Sequence, residues 1–331
     1  MSGTSSKIYI LDSLRGIIAL FVALYHFLQF ENQHGRLIPK DNEIVEFMNP
    51  LLIGSVSVFF IISAYVIFLH LEHHNYSLSK MGTYLWKRVV RIQIPVLICI
   101  ALIILVDESF HYYLGIPSTF SWKQLLANVT LTAGFVGEEW YNPIFWTLCI
   151  EFQFYIAVGI LFPLIKQYPL PSLLLLALAF IPINYYSDSL GFASYYGAYF
   201  VIGIALYLFH TKRFSWIELL LLLFVGFTDL FLNHPLIYPL IPICSIPLIL
   251  FFKKRIKILE LMGELSFSFY LIHGMLGGWL IYFTARYANN GIQQILIVIA
   301  ALAISYIGSY YFYRIFEKPS LRWARKIKYK K

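Results

Sequence analysis

The sequence predicts an all-α, polytopic integral membrane protein of ten transmembrane helices with both termini in the cytoplasm. Three observations predict it. Hydrophobic residues make up 60% of the chain and charged residues only 13%, where a soluble domain carries about 25% charged residues. The apolar residues recur in runs of about 17–24 residues, long enough to span a bilayer. The remaining charges are segregated by sign between alternate loops.

The first run, 8–30, follows a short polar N-terminus, and no small-residue cleavage site comes after it, so it reads as a retained helix and not a signal peptide. The second, 50–71, contains GSVSVFFIISAYVI, whose Ser57 and Ser63 suit close helix packing. The third, 86–106, opens on WKRVVRIQIP. Next comes SWKQLLANVTLTAGFVG, with apolar residues at helical spacing but short and polar-studded, the pattern of an interfacial or re-entrant helix. The fourth, 143–165, holds NPIFWTLCIEFQFY, and the fifth, 170–186, is marginal in length. Runs at 193–210, 215–232, 235–252, 263–283 and 293–316 complete the set. Residues 1–331 are expected to form a single transmembrane domain with a basic cytoplasmic tail, 318–331, and no appended soluble domain.

Charge sets the orientation. With the N-terminus inside, the inner segments collect Lys7, Lys80, Lys87, Arg88, Arg91, Lys166, Lys212, Arg213, the Lys253–Lys257 cluster and the tail up to Lys330 and Lys331. The outer loops hold only Arg36, Lys40, Lys123 and Arg286 among acids such as Glu43, Glu138 and Asp188. This satisfies the positive-inside rule for an even number of spans. The net charge of +8 therefore reflects topology and contact with anionic lipid, and requires no nucleic-acid partner. Cys99, Cys149 and Cys244 lie in apolar runs without a CxxC or Cys/His cluster, so they read as packing thiols and no metal is expected.

Ionisable residues inside spans are functional candidates because their desolvation is costly. Asp12 and Arg15, three apart, share a helix face and can pair. His26 lies about 16 Å beyond Arg15 at about 1.5 Å per residue, so one helix offers an anion site at its inner mouth and a proton-transfer group deep inside. Arg88 and Arg91 share a face of the third span, and with Arg15 they match a phosphate clamp, since the guanidinium fork binds phosphate bidentately. The plainer reading of any one of these arginines is a topology anchor. Glu151 is too deep and too short to snorkel; its depth places it within one or two turns of His26, as orienter of a base or as a structural partner of a Trp or Tyr. On the ninth span Ser266, Tyr270 and His273 fall on one stripe. His70, His73 and His74 read as interfacial.

Six segments together resemble the acyltransferase family 3 membrane proteins: LDSLRGIIALFVALYH with its Arg-x10-His spacing, GSVSVFFIISAYVI, KRVVRIQIP, FWTLCIEFQFY, SFSFYLIH and FEKPSLR. They occur in the family's order and cover essentially the whole chain. ISAYVI carries Ala64 where the family usually has Gly, and Pro95 falls one residue later than in the common RIxP. The resemblance implies a membrane O-acyltransferase that takes an acyl group, usually acetyl, from cytoplasmic acetyl-CoA or another acyl-CoA. The acceptor it implies is a hydroxyl of an envelope or extracellular polysaccharide sugar, or a lipid-linked glycan, at a bacterial inner membrane. It makes His26 the essential histidine, and Arg15, Arg88 and Arg91 the arginines of the two signature motifs. Without an esterase-like domain, transfer beyond the membrane falls to a partner envelope protein or to none. Direct transfer and a covalent acyl-histidine both fit these residues. A different class, a proton-coupled transporter or flippase of envelope precursors, would use His26, Glu151 and His273 as a relay, but no internal repeat supports it.

Overall fold

A computed structural model describes residues 9–29, 31–32, 35–38, 42–186, 192–288 and 290–329. Lys7, Lys40, Asp188, Lys330 and Lys331, which contribute to the charge asymmetry, lie outside the described residues. The helices are α1 (Tyr9–Gln29), α2 (Glu43–Gly54), α3 (Val56–His73), α4 (Met81–Leu114), α5 (Trp122–Val129), α6 (Ala133–Val136), α7 (Phe145–Gln167), α8 (Pro169–Tyr186), α9 (Gly197–His210), α10 (Trp216–Asn233), α11 (Ile237–Phe251), α12 (Lys257–Thr284), α13 (Gly291–Phe312) and α14 (Lys318–Lys326). Glu31–Asn32 and Gly35–Arg36 form a two-residue antiparallel pairing after α1.

Among the described residues, eight helical stretches are long and apolar enough to cross a membrane, and the shorter apolar helices α9 and α11 bring the set to ten. Each coincides with a run read from the sequence, so the protein is polytopic and all-α. The second run falls on α2 and α3, which meet at Ser55. The third is longer than its apolar core: α4 continues through Asp107 and Glu108 to Leu114, where Gly115 takes up a left-handed conformation (φ 65°) and ends it. The short segment between the third and fourth runs forms α5 and α6, with Ser121 capping α5 by accepting from the Gln124 amide (3.3 Å).

α1 packs lengthwise against α12, α12 against α13, α3 against α9, and α8 against α10. Small residues let the backbones meet in two of these pairs, α1–α12 and α3–α9, as expected where lipid supplies no hydrophobic drive between helices. At Gly263 a Cβ would collide with the carbonyl of Asp12, which fixes α1 and α12 side by side and parallel. On α9, Gly203 faces the Ile61 carbonyl and the Ala64 methyl of α3, so glycine on the partner helix provides the close approach beside Ala64.

Pro95 is buried inside an unbroken α4. Having no N–H, it leaves the carbonyl of Arg91 without its intrahelical donor. Ser320 Oγ of α14 stands 3.3 Å from that carbonyl and 2.7 Å from the Glu317 carbonyl. Residues Tyr313–Glu317, between α13 and α14, form a π-helical turn. Such turns are frequent at functional sites, and this one turns two side chains toward the interior of the bundle.

Candidate functional site

One face of α3 defines the site. Val56, Phe59, Phe60, Ser63, Ile67, His70 and His74 recur at helical spacing and all line a single cavity of about 1040 Å³. From His70 to Val56 this face runs about 21 Å at about 1.5 Å per residue. The cavity is basic at one end, where Lys87, Arg88, Arg91, Arg255, Lys257 and Arg325 contribute, and apolar at the other.

The structure brings seven of the nine residues singled out in the sequence to this cavity: Asp12, Arg15, Arg88, Arg91, Glu151, Ser266 and Tyr270. Asp12 and Arg15 pair across one helical turn, 3.7 Å apart. Arg88 is only 6% exposed. Its guanidinium lies 5.6 Å from the ring centroids of both Tyr84 and Tyr155. Its Nε and Nη2 are buried without a hydrogen-bond partner among the described residues. Guanidinium donors buried beside a cavity are groups of the kind that the oxygens of an anion can satisfy.

Glu151 is committed elsewhere than to His26. Ser63 donates its hydroxyl to Glu151 Oε1 at 2.6 Å, and the Tyr155 hydroxyl, one turn along α7, also engages the carboxylate. The rings beside His26 are those of Tyr25, its chain neighbour, and of His273 on α12, each with its centroid 5.3 Å away. The reason is that similar depth does not make two helices neighbours: α12 lies along α1, whereas the face of α7 bearing Glu151 looks across to α3.

His26 and His273 do not line the cavity. Along α7 and α12 its lining ends at Thr147 and Tyr270, whose hydroxyls are 2.7 Å apart. The Thr147 proton goes to the Ile144 carbonyl (2.9 Å), so Tyr270 is the donor of that bond. The Tyr270 ring is 6.2 Å from that of His273. From the basic end the order is therefore arginine cluster, Ser63–Glu151–Tyr155, the Thr147–Tyr270 roof, then the two imidazoles.

Several cavity residues escaped the sequence reading. His70 and His74, read as interfacial, line the basic end. Burial holds the His74 imidazole below its usual range with Lys87 nearby, against the His70 carbonyl, which favours the charged form. On the opposite wall Tyr313 donates to Glu264 Oε1 and Ser268 Oγ to Glu317 Oε2, each at 2.5 Å. Tyr155 was findable, four residues after Glu151 on the same face; Glu317 depends on the π-turn, for which the sequence has no marker. At the far end of α4, Asp107, Glu108 and His111 bring ligand atoms within 4.8 Å of one another, remote from this cavity's lining.

A family model described as an acyltransferase domain matches residues 8–314. No curated protein and no solved structure matches the chain.

Proposed function

Because the chain belongs to the acyltransferase 3 family, we propose that it moves an acyl group, acetyl in the simplest case, from cytoplasmic acyl-CoA to a hydroxyl of a cell-envelope glycan at a bacterial inner membrane. One observation carries the donor assignment: the buried, unpaired N–H groups of Arg88 at the basic end of a cavity about 21 Å long on the helix-rise measure. An elongated donor with phosphates at one end and a thioester at the other suits that gradient of charge. Arg15, Arg88 and Arg91 hold the phosphates, His70 and Lys87 flank them, and the arm passes Ser63 and Glu151 toward Tyr270.

His26 is the base in this reading. The acceptor oxygen attacks the thioester carbonyl while His26 takes the hydroxyl proton. As the C–O bond forms and the C–S bond breaks, the imidazolium returns that proton to the thiolate of CoA, so an ester and free CoA leave and the ring is again neutral. The Thr147–Tyr270 bond lies where the α7 and α12 walls of the cavity end, and in this reading the thioester displaces it to reach the histidines. The roof otherwise keeps acyl-CoA away from the base and from water admitted at the outer side, which disfavours idle hydrolysis. Glu151 orders the arm through Ser63 and Tyr155 in place of orienting His26.

The test is mass spectrometry of envelope glycans from cells with and without the protein, together with turnover of labelled acetyl-CoA by the protein in lipid nanodiscs. The reading expects an acyl mass increment that depends on the protein and disappears in His26→Ala, with membrane insertion intact. Proton-coupled movement of a precursor with no consumption of acyl-CoA would instead establish a transporter.

A further inference from the structure

Two imidazoles meet one turn beyond Tyr270, where the α12 wall of the cavity ends, and one of them has an unused nitrogen. His273 is 1% exposed. Its Nδ1 lies 2.8 Å from the Tyr270 carbonyl and 3.1 Å from the Phe269 carbonyl. Carbonyls only accept, so Nδ1 carries the proton and the neutral ring keeps its lone pair on Nε2. That Nε2 is buried with no hydrogen-bond partner among the described residues.

The surroundings narrow the donors available to it. Phe27 and Phe269 pack around the ring with centroids at 6.0 and 5.9 Å and offer none. The Tyr270 hydroxyl is spent on Thr147. The remaining polar ring in contact is His26, 5.3 Å away centroid to centroid and tilted by 40°. Its position is set by the parallel register of α1 and α12, which the contact of Gly263 with Asp12 fixes one end and that of Gly277 with Phe27 the other.

We propose that His273 is a positioning residue for the acyl transfer described above, an inference that rests on that reading: its Nε2 accepts the ring N–H of His26. The second nitrogen of His26 then keeps its lone pair for the acceptor hydroxyl. When that nitrogen takes the proton, the charge on the ring is held by an N–H···N bond to a neutral, already oriented acceptor. His273 neither gains nor loses a proton over the cycle. It does for His26 what a carboxylate does in other base–orienter pairs, without placing a buried negative charge beside the outer half of the bundle.

Three variants at one position separate positioning from packing. Gln sets a carbonyl oxygen near the place of Nε2, Asn sets its amide near Nδ1, and Phe keeps only the volume. In His273→Phe, kcat falls about 10²-fold, the scale of a general base put out of order, while the KM for acetyl-CoA is unchanged. His273→Gln recovers most of the loss and His273→Asn does not. A second readout needs no turnover: diethylpyrocarbonate modification of His26, followed by mass spectrometry of its peptide, slows in Phe and Asn and is restored in Gln. Wild-type kcat and His26 reactivity in His273→Phe would overturn the proposal, as would equal rescue by Asn and Gln, which points to the backbone-facing nitrogen alone. If Phe does not fold, the Gln–Asn comparison still decides. A wild-type protein that shows no acyl transfer, yet whose His26 reactivity follows this pattern, overturns the enzymatic reading and leaves the imidazole pair standing.

Discussion

Tyr270 donates its hydroxyl to Thr147 Oγ1 across 2.7 Å, tying α12 to α7 where the cavity ends. The two partners are not equivalent. Thr147 passes its own proton to the Ile144 carbonyl, one turn back on α7, so it stays satisfied when Tyr270 loses its hydroxyl. Tyr270, 7% exposed, has no such second outlet in its own helix turn. Thr147→Val therefore strands a buried O–H, at a cost of about 1–3 kcal/mol, whereas Tyr270→Phe removes donor and demand together and is close to neutral. Thermal unfolding in detergent should give a clearly lower midpoint for Thr147→Val than for Tyr270→Phe. Equal midpoints would show that the bond does not fasten the roof.

In the proposed donor site, Arg88 trades stability for binding. Its guanidinium is buried with two nitrogen groups unpaired, and an apolar side chain of similar length relieves that cost. In Arg88→Met, stability without donor should rise by about 1–4 kcal/mol, the range seen when buried charges are replaced by packed apolar groups. Acyl-CoA affinity should fall about 10–100-fold, because hydrogen bonds to a charged group contribute about 1.5–3 kcal/mol. Arg88→Lys should recover only part of it, since the ammonium lacks the planar fork. Titration calorimetry and thermal unfolding on the same samples check both halves. A variant that loses stability together with affinity would mean that Arg88 is already satisfied in the empty protein.

What the sequence disclosed follows the cost of placing charge in lipid. Long apolar runs with charges gathered at their ends leave little freedom in counting spans, so the ten helices were legible, as were local pairs such as Asp12–Arg15 that one helical turn enforces. Arg88 and Arg91 shared a face for the same reason. Contacts between helices were not legible. Ser63 and Glu151 are 88 residues apart, and nothing along the chain says that α3 faces α7. Both deep histidines were visible, but depth suggested Glu151 as the partner of His26; the parallel packing of α1 on α12, enforced by Gly263, supplied His273 instead. The π-turn that delivers Glu317 inserts a single irregularity into an ordinary helical pattern, below what periodicity can register.

Gly263 and Gly274 lie on the same helix and separate packing from propensity. A Cβ at Gly263 runs into the Asp12 carbonyl, which is backbone and cannot rotate away, whereas a Cβ at Gly274 meets nothing within 4 Å. Gly263→Ala forces α1 outward and should cost about 1–3 kcal/mol or more, the usual scale of overpacking. It also disturbs the Asp12–Arg15 pair and the His26–His273 contact, so acyl transfer should fall with it. Gly274→Ala should be neutral or gain up to about 1 kcal/mol from helix propensity. Similar midpoints for the two variants in thermal unfolding would refute the close approach of α1 and α12.

The tail segment after α14 sits on the basic end of the cavity. The Tyr329 hydroxyl is 3.1 Å from His70 Nε2, Lys87 donates its Nζ to the Ile327 carbonyl at 3.1 Å, and the same ammonium lies 4.9 Å from the centroid of the Tyr329 ring. Both His70 and Lys87 line the cavity beside Arg88, so the segment engages the groups that flank the phosphates in the proposed donor site. Anion binding there has to displace these contacts first. Removing the ring in Tyr329→Ala relinquishes a cation–π contact of about 0.5–1 kcal/mol, which frees Lys87 and His70. The KM for acyl-CoA should drop by about two- to fivefold, the same energy expressed as a ratio, with kcat unchanged because the proposed base, His26, is remote from the tail. Steady-state kinetics across donor concentrations reads this directly. A higher KM would show the reverse arrangement, in which Tyr329 belongs to the donor site and helps to hold the nucleotide.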